Sequence, residues 1–301
     1  MSGSHLGSTI WRFVMAEVRL EPVWQSIIEI YGEVAKICDR HGLRYYLTDG
    51  SAIGAVRHGG FIPWDDDFDM SMPREDYEKF IIYAQEELPS HLKFLNWKNC
   101  IEFCFLFGKV QDCRREKVEA VEKECGYMLS NGLYIDIFPI DGYPESRVER
   151  WVVKMYAYLL RALWRAKFGV FKNQSRKGKV LCILGHVFSL FVPWIRKPEQ
   201  IMSRCEKMLR RHPFEGGAFT SRASVYLTGL NRPPLPVEWW GEAEWKDFMD
   251  VKVPLPHDYD SYLRFYYGDY MRLPPENQRR PSHGYKYRCG WWLGPTKNSG
   301  Q

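Results

Sequence analysis

The sequence lacks the segments that would mark a secreted or membrane-spanning protein. Residues 1–20 contain no apolar stretch of the kind found in secretory signals. No run reaches the ~20 uninterrupted apolar residues of a spanning helix. The 8 cysteines include no Cys-x-x-Cys pair, which argues against a thioredoxin-like redox motif and against structural zinc spacing. We therefore predict a cytoplasmic protein with reduced thiols.

Internal repeats and low-complexity tracts are also absent, and the composition is that of an ordinary globular protein. Of 301 residues, 45% are hydrophobic and 26% charged, which excludes general disorder. A chain of this length suits one large domain. We predict a single catalytic domain over 1–301, with a core at 23–142, a basic helical segment at 143–211 and a C-terminal part at 212–301 that completes the site.

Charge is distributed unevenly along the chain, although the net charge is only +5. Between residues 150 and 211 there are 15 Lys and Arg against two acids, a local charge of +13, which leaves −8 for the rest. This asymmetry predicts an acidic body that handles a metal or another cation, joined to a segment that faces an anionic partner.

Hydrophobic periodicity predicts an α+β (mixed α/β) fold, in which a core sheet is flanked by helices. The first helix spans 23–40 and stops at Gly42. Further helices are predicted at 51–58, 73–88, 143–169, 179–192, 198–211 and 259–267. Strands are predicted at 43–47, 68–72, 92–97, 101–110 and 133–138.

Four aspartates lie close together in the stretch WDDDFDM at residues 64–70. In a strand, Asp65, Asp67 and Asp69 would point to one side and Asp66 to the other. Carboxylates that converge in this way repel one another unless a divalent cation lies among them, and oxygen ligands suit Mg²⁺ or Mn²⁺. A solvated acidic turn is the structural alternative. An EF-hand is excluded, because its required glycine would be Met70.

Two further elements carry chemistry. Gly50 and Ser51 follow a predicted strand and open a predicted helix, where backbone N–H groups approach phosphates. Asp136 is the lone acid in an apolar strand, so it needs a partner or a metal. Taken separately, the first is also typical of an ordinary turn and the second of a structural aspartate.

Together, these elements resemble the nucleotidyltransferase superfamily and, more narrowly, the LicD family of phosphotransferases, to which the fukutin-type proteins are distantly related. The resemblance extends from about residue 24 to residue 283. Its motifs are YYLTDGSAIGAVRHGGFIPWDDDFD at 45–69, YIDIFPIDG at 134–142, and YGDYMRLPP at 267–275 followed by Arg280 and His283.

The resemblance implies a metal centre for Mg²⁺ or Mn²⁺. Asp67 and Asp69 would be metal ligands, and Asp65 would be a ligand or would orient one. Asp136 would be the third carboxylate, which either completes the site or accepts the proton of the acceptor hydroxyl. Asp66 is expected to stabilise the loop instead.

The resemblance also implies a place for each substrate. Gly50 and Ser51 would cradle the donor phosphates, and Lys109 would reach them unless it is simply a solvated lysine at a strand end. Asp269 and His283 would lie on the acceptor side, where a purely structural turn is the alternative.

The implied reaction moves a phospho-alcohol, phosphocholine first of all, from a CDP-alcohol such as CDP-choline to a hydroxyl of a cell-surface glycan, teichoic acid or lipopolysaccharide precursor. One alternative is a glycosyltransferase that holds a nucleotide sugar through an Asp-x-Asp strand; the Gly-Ser turn and Asp136 argue against it. A non-catalytic membrane or nucleic-acid adaptor is the other, and it would not need to hold several acids together. We expect no nucleic-acid partner.

The basic segment predicts a peripheral contact with an anionic membrane at its inner face, where a lipid-linked glycan acceptor would be met. Helical periodicity separates a basic face from an apolar one. A helical hairpin packed on the core is the alternative. The basic face holds Arg150, Lys154, Arg161 and Arg165, and the apolar face holds Val152, Met155, Leu159, Leu163 and Ala166.

Overall fold

The computed structural model describes residues 20–100, 103, 105–114, 132–153, 155, 183, 187, 198–221 and 233–279. His283 and most of the predicted helices at 143–169 and 179–192 lie outside these residues.

The chain begins with helix α1, Glu21–His41, which carries an apolar face into the core. Gly42 ends the helix with a left-handed φ of 62°, a conformation that glycine adopts without steric cost. The predicted stop at Gly42 is therefore confirmed. Helices α2 and α3 follow at Asp49–His58 and Arg74–Glu87, and each starts within two residues of its predicted position.

A mixed sheet forms the centre of the fold and confirms the predicted α+β class. The strands are β1 Tyr46–Leu47, β2 Asp69–Pro73, β3 Leu92–Leu95, β4 Gly108–Asp112, β5 Leu133–Tyr143, β6 Phe219–Ser221 and β7 Leu235–Pro236. The path through the sheet runs in the order β1, β2, β5, β4, β3, with β6 and β7 continuing from β5. Strands β2 and β5 are parallel, and the other pairs are antiparallel.

The second half of the described chain adds helices and a separate hairpin. Helix α4 is described at residues 147–153 and 155. Helices α5, Pro198–Leu209, and α6, Tyr259–Tyr267, follow, with short 3-10 helices at Val237–Trp239 and Glu276–Gln278. Strands β8, Glu244–Phe248, and β9, Val251–Leu255, pair as a hairpin. No helix among the described residues is long and apolar enough to cross a membrane.

Some predicted limits of strands and helices were wrong. The strand expected at 101–110 occurs at 108–112, because Phe103 and Phe107 pack on Phe138 in a small cluster outside the strand. The helix expected from residue 143 starts only at 147, since β5 continues to Tyr143. The β8–β9 hairpin was not predicted.

One buried ion pair joins the sheet to α3. The Arg74 guanidinium donates from Nε to Asp141 Oδ1 and from Nη2 to Asp141 Oδ2, both at 2.7 Å. Asp141 is fully buried and Arg74 nearly so. Asp141 belongs to the motif at 134–142, and the structure gives it this role in joining α3 to the end of β5.

Candidate functional site

Three charged side chains form a row across the middle of the sheet. Asp69 on β2 lies opposite Asp136 on β5, and Asp136 lies opposite Lys109 on β4. Side chains of directly paired residues share one face of a sheet. Lys109 Nζ lies 3.3 Å from Asp136 Oδ1 and 3.3 Å from the centre of the Tyr134 ring. The row therefore gives Asp136 the partner that its sequence context requires.

Lys109 is a buried residue within β4, so the alternative of a solvated lysine at a strand end is wrong. Burial of an ammonium group is unfavourable unless an anion or an aromatic face compensates, and Lys109 has both. Its position places a positive charge next to the Asp136 carboxylate, and Asp69 lies one strand beyond Asp136 on the same face of the sheet.

Asp65, Asp66 and Asp67 form an acidic turn before β2. One carboxylate oxygen from each lies within 4.8 Å of the others. The turn is anchored by Trp24, whose Nε1 donates to the Asp65 carbonyl at 2.8 Å, and by the Asp65 N–H, which donates to the Ile62 carbonyl at 2.8 Å. Burial raises the pKa of Asp65 to about 7, helped by the charges of Asp67 and Asp66.

This turn corrects the prediction that strand alternation orients the aspartates. Strand β2 starts at Asp69, so residues 65–68 are not paired in the sheet and do not alternate. As a result, Asp66 does not point away: its carboxylate joins those of Asp65 and Asp67, and the residue is only 1% exposed. The grouping of three consecutive carboxylates is a property of the turn.

The first turn of α2 is locked against the acidic turn. A Cβ on Gly50 would lie 2.8 Å from Asp65 Oδ2, so a larger residue there would have to displace the Asp65 carboxylate. The Ser51 hydroxyl accepts from the Asp69 N–H at 2.9 Å and donates to the Asp67 carbonyl at 3.4 Å. In this structure Ser51 therefore holds the backbone on which two of the aspartates are carried.

Asp49, the first residue of α2, was not predicted as a site residue. Its φ is +51°, a left-handed conformation that is uncommon outside glycine. Asp49 Oδ1 accepts from the Tyr267 hydroxyl at 2.9 Å and from the Tyr262 hydroxyl at 3.3 Å, and the Asp49 N–H donates to Tyr262 at 3.2 Å. Helix α6 thus holds the start of α2, a long-range contact that no local sequence signal indicates.

The donor set of the acidic turn fits a hard divalent cation. Carboxylate oxygens are the ligands that Mg²⁺ and Mn²⁺ prefer. The raised pKa of Asp65 shows that this carboxylate is held where burial and its neighbours disfavour its charge, a disadvantage that a cation would remove. Asp65, Asp66 and Asp67 could hold such an ion, with Asp69 following immediately on β2.

The structure does not test the predicted acceptor side. Asp269 is exposed in the turn after α6, where its carbonyl accepts from the Arg272 N–H at 3.1 Å. His283 lies outside the described residues. The acceptor side therefore stays a prediction.

Comparison with known proteins gives one family match and several relatives. Residues 42–161 match the family described as LicD/FKTN/FKRP, nucleotidyltransferase domain. The chain is 26% identical over 260 residues to lipopolysaccharide cholinephosphotransferase LicD of Haemophilus influenzae, which covers 82% of this chain and 89% of that protein. It is 31% identical to the human ribitol 5-phosphate transferase FKRP and 46% identical to the mouse protein, each over 117 residues. Those two matches cover 38% of this chain and 20% of each relative.

Proposed function

We propose that this protein, whose residues 42–161 match the LicD/FKTN/FKRP family, is a transferase that moves a phospho-alcohol from a CDP-alcohol to a hydroxyl of a cell-surface glycan precursor. The observation that carries this proposal is the place of Asp69, which follows the acidic turn by two residues and lies opposite Asp136 in the sheet, with Lys109 on the far side of Asp136. Phosphocholine is the first choice of group, since the relative that aligns over most of both chains is named a cholinephosphotransferase.

In this proposal the acceptor hydroxyl attacks the β-phosphorus of the donor. A new phosphorus–oxygen bond forms to the acceptor, the bond to the bridging oxygen breaks, and CMP leaves. Little covalent chemistry is required of the protein, so its contributions are positioning and charge neutralisation. Asp65, Asp67 and Asp69 would hold Mg²⁺ or Mn²⁺, with Asp66 beside them in the turn. The metal would neutralise the charge that develops on the phosphate oxygens.

Asp136 would take the proton of the acceptor hydroxyl. Lys109 Nζ lies 3.3 Å from Asp136 Oδ1, so the lysine orients this carboxylate and competes with a metal for that oxygen. Lys109 would at the same time present its charge to the donor phosphates.

The donor phosphates would lie at the first turn of α2. The N–H groups of Gly50 and Ser51 belong to the helix N-terminus, which attracts anions. The Ser51 hydroxyl, in contrast, is engaged by the acidic turn, so we assign it the positioning of that turn.

Release of CMP from a panel of CDP-alcohols is the direct test. CDP-choline, CDP-ethanolamine, CDP-glycerol and CDP-ribitol are each incubated with Mg²⁺ or Mn²⁺ and an acceptor glycan. UDP-sugars run in parallel test the glycosyltransferase alternative. Transfer from a UDP-sugar without CMP release from any CDP-alcohol would contradict the proposal.

The aspartates are tested within the same assay. Asp67→Asn and Asp69→Asn keep the side-chain shape but remove a charge, so we expect turnover to fall by orders of magnitude while the fold is kept. Asp247→Asn is the matched control, because Asp247 is exposed on β8 and pairs with Lys252 at the surface. Near-normal turnover of Asp67→Asn in saturating metal would remove that residue from the site.

The acceptor would be lipid-linked and met by a cytoplasmic enzyme at the inner face of the membrane. The basic segment between residues 150 and 211 supports this placement through its charge alone.

A further inference from the structure

Helix α4 packs on the rest of the molecule through the side that carries Arg150 and Val153. Val153 contacts the cluster of Leu106, Tyr143 and the apolar face of α5. Arg150 donates from Nε to the Pro144 carbonyl at 2.6 Å, and its guanidinium lies 4.6 Å from the centre of the Phe219 ring. Arg150, which periodicity places on the basic face, is therefore half-buried against the protein.

The opposite side of α4 is an exposed apolar stripe. Its four residues follow the i, i+3, i+4, i+7 spacing and lie within about 100° of one another around the helix axis. They are Val148, Trp151, Val152 and Met155, exposed by 73%, 63%, 51% and 48%. A continuous stripe of this kind indicates a surface that meets something apolar, whereas single exposed apolar residues are common. The alternative in which Val152 and Met155 pack on the core is therefore wrong, and their entry into a membrane interface stays a prediction.

The same region of the chain carries a second exposed apolar pair. Ile183 and Val187 are helical, lie one turn apart, and are exposed by 63% and 46%. Exposed apolar side chains therefore occur at two places between residues 148 and 187.

The sequence charge of residues 150–211 favours an anionic surface as the partner of the stripe on α4. Residues 150–211 contain 15 Lys and Arg against two acids. Among the described residues, Arg147 on α4 and Lys207 and Arg211 on or just after α5 are exposed cations, and Glu145 and Glu149 are exposed acids at α4. An exposed apolar stripe in a stretch of sequence with this excess of cations matches a bilayer that presents anionic headgroups over an apolar interior. Trp151 suits the interfacial region, where tryptophan is enriched.

We propose that α4 docks the protein on an anionic lipid surface, with the stripe of Val148, Trp151, Val152 and Met155 entering the interface and the helix lying in its plane. This inference deepens the proposed function, on which it rests for its purpose, since it would bring the site to a lipid-linked acceptor.

Co-sedimentation with vesicles tests the docking surface directly. The full chain, without donor, is mixed with vesicles of phosphatidylcholine alone or of phosphatidylcholine with an equal part of phosphatidylglycerol, across a salt series. We expect binding to the mixed vesicles that weakens as salt rises, and little binding to the neutral ones. Equal binding to both, or no binding at low salt, would overturn the inference.

Trp151→Ser tests the stripe itself, and Trp245→Ser is the matched control. Trp245 is exposed by 49% on the β8–β9 hairpin, so the two variants remove similar apolar areas from different surfaces. We expect Trp151→Ser to weaken vesicle binding roughly tenfold, with no change of fold, and Trp245→Ser to bind as the wild type does. Unchanged binding of Trp151→Ser would contradict the proposal. A dimer that Trp151→Ser dissociates in the absence of vesicles would also overturn it, because the stripe would then be a self-association surface.

Failure of the two proposals is distinguishable. Vesicle binding is measured without donor, and CMP release is measured with a water-soluble acceptor and no vesicles. Loss of one result leaves the other unaffected.

Discussion

The raised pKa of Asp65 makes the stability of the metal-free protein depend on pH. Because the folded protein holds this proton up to pH ~7 and the unfolded chain releases it near 3.8, the folded state binds more protons between these values. The contribution of Asp65 is therefore fully present below pH ~4 and is lost as pH rises through ~7. Between pH 5 and 7 the loss is about 2 kcal/mol, worked from about 1.4 kcal/mol per unit.

Asp65→Asn isolates this contribution, because the amide keeps the shape of the side chain and does not titrate. The free energy of unfolding is measured by denaturant titration in chelator, from pH 5 to 7.5. We expect the wild type to lose about 2 kcal/mol more than the variant over this range. Adding Mg²⁺ at pH 7.5 should restore stability to the wild type and much less to the variant.

Parallel curves for the two proteins would refute the reasoning. They would mean that the Asp65 carboxylate is solvated in the folded protein, so that neither burial nor its neighbours perturb it. A wild type that becomes more stable as pH rises, relative to the variant, would show that a favourable partner holds the ionised form.

Three further predictions concern the fold and the site. Arg74→Met should lower the free energy of unfolding by about 3–5 kcal/mol in denaturant titration, because it leaves the buried Asp141 carboxylate without its guanidinium partner. Asp141→Asn should cost less, because Arg74 keeps Glu78 at 3.4 Å and Glu206 at 3.6 Å. Gly50→Ala should lower metal affinity in calorimetry, because the added Cβ would lie 2.8 Å from Asp65 Oδ2 and must displace that carboxylate. Gly32→Ala should bind metal as the wild type does, because a Cβ on Gly32 would have open space around it. Tyr267→Phe removes one hydrogen bond to the aspartate that opens α2, so CMP release should show a higher KM for the donor with stability lowered by about 1 kcal/mol.

The sequence alone determined the elements whose signals are local. The periodicity of 259–267 predicted both ends of α6, and Gly42 predicted the end of α1, because amphipathic spacing and a left-handed glycine act within one or two turns. The acidic stretch and the Gly-Ser step were also visible, since they are short runs of unusual composition. The β8–β9 hairpin was missed because of the residues in its turn. The turn starts at Met249, which adopts a φ of +56°, whereas glycine or asparagine usually stands at such a position.

Tertiary structure decided which of these elements meet. Lys109 became the partner of Asp136 because β4 lies beside β5, a pairing of distant segments that no local pattern encodes. The Asp66 carboxylate lies with those of Asp65 and Asp67 because β2 starts only at Asp69, so strand alternation does not apply to residues 65–68.

The orientation of α4 was decided in the same way. Periodicity separates an apolar from a basic face, but it does not state which face the rest of the molecule covers. Arg150 turned inward because Phe219 on β6 and the Pro144 carbonyl offer its guanidinium an aromatic face and an acceptor. Local sequence determines the conformation that a segment can adopt, whereas burial depends on what distant segments place against it, and these contacts exist only in the folded chain.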